Sequence, residues 1–487
     1  MADYLTKRGA NIAPSYASTD NLPASTQAGD LVFVGGQLGI AVDASTFNTC
    51  DKTDVVFLPD FNGTYITGSR VVNLSPIDST TMASVIFAGG NGNSASTKKR
   101  FGSISSNTYY QGRLYVWEID TATKAITVLR RLTKPPNMTT SNPQFEFQGM
   151  MSPNGRYVAT SGYQSYNKLY IYDIDSSSSS VNATPTGVEC SPVSPCTADY
   201  YGHWCACGDT YSAIGSWGAS SDNYNGAVNV FQNSNGSHVR NFTSAHSGTS
   251  LRFGFNGSNI YNDRWMFVSG YNGANQVTLC DISNGNTHAV PIPSGASGNF
   301  GKGYAGMFIQ EKYAVIMDGN ATTSTAGIGK AHIYDTTAFP TLTLLRTIEA
   351  PNEANNANSW GSAAGGNGER VSISDNGSLF VPGQYHSASG GSWTDGGAFW
   401  VYNCVDGSLL QGPIYPRTAI TTADLSPIGA GSITNSGNDR IGGRGRILSL
   451  TNSADIVIIG SHYFRGATGS GSNTTTTTST GALYLFD

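Results

Sequence analysis

Five side chains that could hold a soft metal, Cys190, Cys196, His203, Cys205 and Cys207, lie within one short stretch of the chain. Thiolate and imidazole are what zinc prefers, and four of them would complete a tetrahedral site. The spacing is not a paired C-x-x-C. Cys205-Ala206-Cys207 falls where a strand is expected, which would put its two thiols on one face. Three states are open: zinc on Cys190, Cys196, Cys205 and Cys207; a Cys190–Cys196 disulfide; or free, buried thiols. No other cofactor is implied.

A second group is aromatic. Trp360, Tyr385, His386, Trp393 and Tyr463, with Phe464 beside them, fall in long loops among Asn and Ser. Flat rings next to neutral polar groups suit a sugar, which is held by stacking and hydrogen bonds, so a host-surface glycan is one expected ligand. The alternative is that the rings anchor the loops to the body. Asp318, Asp395 and His462 lie in similar loops. They form no paired-carboxylate or Ser-His-Asp pattern, and the chain is expected not to be an enzyme. Lys98-Lys99-Arg100 and the run Arg440–Arg446 are expected as solvated loops.

Bulk composition narrows the partners. The chain has 487 residues, 39% of them hydrophobic, with 27 basic against 32 acidic residues and only 12% charged. Nucleic acid and anionic membrane both need dense Lys and Arg, so neither is expected as a partner. No apolar stretch has the length of a membrane span, and residues 1–18 lack the apolar core of a secretory signal.

The elements that must position these residues repeat. A strand-like run, LYVWEID from Leu114, returns as LYIYDID from Leu169, VNVFQNS from Val228, VTLCDIS from Val277, AHIYDTT from Ala331, FWVYNCV from Phe399 and LYLFD from Leu483. Each copy follows an apolar run ending near Gly: SVIFAGG, RYVATSG, SAIGSWG, WMFVSG, YAVIMDG, SLFVPG and DIVIIG. Asn154-Gly155 and Asn376-Gly377 precede two of these runs and predict tight hairpins, because Asn-Gly readily adopts positive φ. No amphipathic helix of ten or more residues is predicted.

Four-stranded units repeated about seven times predict an all-β, seven-bladed β-propeller, with eight blades as the alternative. The last copy lacks a fourth strand. The ring is therefore expected to close with N-terminal strands from residues 31–68, followed by seven repeats over 69–487, while residues 1–30 form an extended arm. Short turns join the first and second strands. The long loops, such as Gly89–Gly112, Gly383–Gly397 and Gly460–Gly481, join the second and third, so elaboration gathers on one face, where binding usually resides.

SPNGRYVATSG followed by LYIYDID, and SDNGSLFVPG followed by FWVYN, resemble propellers of the YVTN and WD-repeat type. That resemblance implies architecture and leaves activity open. The Gly, Ser, Thr and Asn-rich surface, the run Thr474–Thr478 and the irregular N-terminus are similar to tailed-bacteriophage virion proteins. Together these features lead to an expected structural or interaction protein, displayed on an assembly such as a virion and docked to other structural proteins through its arm. The alternatives are a polysaccharide-binding or polysaccharide-degrading enzyme with its site at the channel mouth, and a cytoplasmic scaffold.

Overall fold

The computed structural model describes residues 144–163, 167–177, 185–218 apart from 199, 224–271, 276–322 apart from 304, 328–351, 360, 371–374, 377–383 and 398–414, together with separate strands on either side of these stretches. The chain divides into two compact units. Met1–Gly68, with Asp487, forms one, and Ser69–Phe486 forms the other.

Six sheets of the larger unit are each made of four consecutive antiparallel strands, paired in chain order. Blade one comprises Ala83–Phe87, Lys98–Ser106, Arg113–Asp120 and Ile126–Leu132. Blade two comprises Gln144–Met151, Tyr157–Tyr163, Lys168–Asp173 and Thr186–Cys190. Blade three comprises Tyr201–Cys207, Tyr211–Ser216, Ala227–Gln232 and His238–Phe242. Blade four comprises Asn256–Gly257, Trp265–Ser269, Val277–Asp281 and Thr287–Ala289. Blade five comprises Met307–Gln310, Tyr313–Thr322, Ile328–Asp335 and Thr343–Glu349. Blade six comprises Ser372–Ile373, Ser378–Gly383, Ala398–Asn403 and Leu409–Ile414.

Six contiguous blades are thus one fewer than the seven repeats expected, and two fewer than the eight-blade alternative. The last repeat contributes three strands, and its sheet takes the fourth from a distant part of the chain. Leu448–Ser449, Val457–Ser461 and Ala482–Phe486 form a composite sheet with Ser69–Val72, which pairs antiparallel to Ala482–Phe486 with Leu483 opposite Val72 and Phe486 opposite Ser69. An N-terminal strand does complete the last repeat. It lies just beyond residues 31–68, where it was expected.

Of those earlier residues, Leu31–Val34, Gln37–Ala41 and Thr46–Thr49 form a four-stranded sheet of the smaller unit with Tyr16–Ala17, so part of the expected arm is a strand. The predicted strands at Val55 and Thr64 lie outside the described residues. The only helical segment described is the short 3₁₀ turn Ile174–Ser176.

The echoed runs are the third strands of their sheets. Their alternation serves two neighbours at once. In the first strand of blade three, Cys205 and Cys207 pack with Ala159 and Ile171 of blade two, while Trp204 and Ala206 pack with Met266 and Val268 of blade four. Every described side chain of that strand is buried. Blades one and two meet through Val116, Met151 and Val158, blades four and five through Phe267, Leu279 and Ile316, and blades five and six through Met317, Ile333 and Trp400. Burying a large apolar side chain stabilises by about 1.5–3 kcal/mol, so each blade depends on the next for its core.

The short turns are linked as well. Asn154-Gly155 turns with Gly155 at φ 73°, and the amide of Asn154 donates to Asp209 Oδ1 of blade three at 2.8 Å. The amide of Thr210 donates likewise to Asp263 Oδ1 of blade four at 2.8 Å. Burial raises the pKa of Asp209, against the lowering effect of its bond from Asn154. Arg156 and Arg264 each clasp the aspartate that ends the third strand of their own blade, Asp173 and Asp281, through two hydrogen bonds.

Candidate functional site

Trp360 belongs to the core. It is fully buried, packs with blades five and six, and meets Tyr402 edge-on at 5.8 Å between ring centroids. This corrects the expectation of an exposed ligand-binding ring. The physical reason is that a large apolar ring gains most by leaving water, whatever the polarity of the sequence around it. Tyr385, His386, Trp393 and Tyr463, along with Phe464, Asp395 and His462, lie outside the described residues. Asp318 is buried and accepts hydrogen bonds from the amide and hydroxyl of Ser297, so its carboxylate holds a connection in place.

Cys190, Cys196, Cys205 and Cys207 are all buried, and no Cys190–Cys196 disulfide is formed. The thiols point to separate partners. Cys190 lies 3.8 Å from Gly236 O, Cys205 3.8 Å from Ala159 O and Cys207 3.8 Å from Tyr157 O. Burial pushes the Cys190 thiol up to about 12 and that of Cys207 higher still, which disfavours the thiolate a metal needs. Among the described residues no group of three His, Cys, Asp or Glu is placed to share an ion. His203, the fifth member of the cluster, is buried with Nδ1 2.9 Å from Phe255 O.

Lys98 and Arg100 are strand residues and not part of a solvated loop. Both are ion-paired to Glu118, and Arg100 also reaches Asp175 of blade two at 2.8 Å. Arg440–Arg446 lies outside the described residues.

The most distinctive polar and aromatic constellation is elsewhere. Tyr200 precedes the first strand of blade three, Trp217 follows the second, and Tyr224 leads into the third. Arg252 and Phe255 precede blade four, and Tyr271 follows its second strand. Antiparallel order brings all these positions to the same end of their strands, the end of the second-to-third loops. Tyr200 stacks on Trp217 with centroids 3.8 Å apart, and Phe255 bridges from His203, at 3.9 Å, to Tyr271, at 4.8 Å.

The guanidinium of Arg252 lies 4.7 Å from the Trp217 ring, 5.4 Å from that of Tyr271 and 5.9 Å from that of Tyr224. A cation over aromatic faces is stabilised by about 0.5–2 kcal/mol.

Backbone packing holds Arg252 there. Its amide donates to Tyr224 O at 2.7 Å and that of Phe253 donates to Asn225 O at 2.9 Å, so the connection runs beside the blade-three loop. Glycine permits the approach: a Cβ on Gly215 would stand 1.9 Å from Gly254 O. Tyr200, Tyr224, Ser250 and Arg252 all have positive φ, a conformation costly for residues with a Cβ and concentrated at functional sites. Thr197 Oγ1, Trp217 Nε1, Asn225 Oδ1, Arg252 Nε and Gln276 Oε1 are buried without a hydrogen-bond partner. Tyr200 and Tyr271 are each 37% exposed. Sequence reasoning placed binding on this face but missed these residues. The one signal was Trp217, inside the run SAIGSWG that was read as strand.

Sheet order defines the chain as a β-propeller protein. No family model and no curated protein matches it. Solved structures similar to it include the RRP9 WD40 repeats, at 10% identity and TM-score 0.45 over 86% of this chain and 97% of that one. An oligogalacturonate lyase in complex with manganese is similar at 12% identity and TM-score 0.43, over 87% and 94%. The β-propeller domain of the Trilobed protease from Pyrococcus furiosus is similar at 10% identity and TM-score 0.41, over 83% and 93%.

Proposed function

We propose that this chain is a structural and interaction protein, a β-propeller displayed on a larger assembly, which recognises a partner through the patch around Trp217 and Arg252. A tailed-phage virion is the assembly its composition resembles. The observation that carries the proposal is Arg252, a cation set among three rings on a strained backbone, with no acid beside it among the described residues. The composite sheet, completed by Ser69–Val72, is taken to close the ring beside the six blades. Met1–Gly68 is assigned the docking role.

The outer strands of blades five and six support life in an assembly. Leu344 and Leu345 on one, and Leu409 and Leu410 on the other, are 38–50% exposed. Apolar edge strands left uncovered favour association.

Sedimentation of the protein from its native source, followed by limited proteolysis, tests the role. Cosedimentation with a larger particle and protection of residues 1–68 are expected. A chain that sediments only as free monomer would overturn it.

A further inference from the structure

We propose that the Trp217–Arg252 patch binds an acidic carbohydrate, with the sugar ring stacked on the exposed tyrosines and its carboxylate on Arg252. This rests on the patch being the recognition site and does not depend on the particle. Arg252 is half-buried, and its side chain makes no hydrogen bond or ion pair with any described residue. The rings around it stabilise the cation without neutralising it. A guanidinium placed in this way is complementary to a ligand carboxylate, which it can meet through parallel N–H groups.

The surroundings favour a sugar over an acidic peptide. Tyr200 and Tyr271 offer partly exposed rings on either side of Trp217 and Phe255, the kind of surface on which a pyranose stacks. On the same connections, Asn225 Oδ1 and Gln276 Oε1 are buried acceptors without donors, and Trp217 Nε1 is a buried donor without an acceptor, among the described residues. Hydroxyl groups both donate and accept, so a saccharide can satisfy both kinds with small side-chain movements. A saccharide also carries its hydroxyls on the ring that stacks, so stacking and hydrogen bonding come from one rigid group beside the carboxylate. His203 stacks on Phe255, and its Nδ1 lies 2.9 Å from the Phe255 carbonyl oxygen.

The test uses the full chain, with intrinsic tryptophan fluorescence as the readout. Its ligands are β-1,4-linked tetraglucuronate and cellotetraose, which differ only in the carboxylate at C6. Tetraglucuronate should bind at least about tenfold more tightly, the scale of one hydrogen bond to a charged group. Arg252→Gln should bring the two within about twofold, with an unchanged melting temperature showing that the variant is folded. Tyr271→Ala should weaken both ligands together.

Equal binding of the two by the native chain would overturn the proposal, as would an acid preference that survives Arg252→Gln. Tetraglutamate bound as tightly as tetraglucuronate would also overturn it and make the patch an acidic-peptide site. Cosedimentation of the same preparations reports on the assembly role separately, because loss of sugar binding leaves it unaffected.

Discussion

Removing four residues should separate completion of the composite sheet from everything else at the N-terminus. A chain beginning at Ser69 retains every strand of the composite sheet, whereas one beginning at Asn73 lacks its outer strand. The four lost pairs are Ser69 with Phe486, Arg70 with Leu485, Val71 with Tyr484 and Val72 with Leu483. With about four backbone hydrogen bonds at about 1 kcal/mol net each, the loss is ~4 kcal/mol. That is a large share of a typical stability of about 5–15 kcal/mol. Thermal unfolding followed by circular dichroism should place the shorter chain about 5 °C lower. It should also aggregate sooner, because Ala482–Phe486 becomes an open edge. Identical melting and solubility of the two chains would refute a stabilising role for the Ser69–Val72 pairing.

Two further perturbations follow from the packing. Gly215→Ala would drive a Cβ to 1.9 Å from Gly254 O, backbone against backbone between blades three and four, so a loss of about 3 kcal/mol or more is expected in urea unfolding. His332 is buried, with Nε2 lacking a partner, and burial followed by the Lys330 charge lowers its pKa to about 4. The unfolded chain then takes up the proton first, near pH 6.5. The contribution of neutral His332 is complete above that pH and lost as pH falls towards 4, at about 1.4 kcal/mol per unit. His332→Gln should flatten the stability profile across this window.

The sequence was informative where one rule repeats. The third strands were legible because LYVWEID and its echoes combine alternation with a polar break, and the sharing of one face by Cys205 and Cys207 followed from the two-residue period of a strand. Lys98–Ser106 was hidden because KKRFGSISS is polar, and its charges are accommodated by ion pairs across strands and blades that no linear pattern reveals. The run from Ser84 consequently looked like a second strand, though it is the first of its blade. Trp360 misled because loop membership says nothing of direction. Beyond Trp217 the patch left no trace in the sequence, since Trp217, Tyr224, Arg252 and Tyr271 meet only when two blades pack and a connection takes left-handed turns.

The pairing of Ser69–Val72 with Ala482–Phe486 also sets an order of events in folding. Its partners are separated by roughly 400 residues, so the entropy of bringing them together is recovered only after the intervening blades have stacked. The composite sheet should therefore be the last to form. Until it does, Ala482–Phe486 remains an unpaired edge, and crowded refolding could join it to the Ser69–Val72 strand of a second copy.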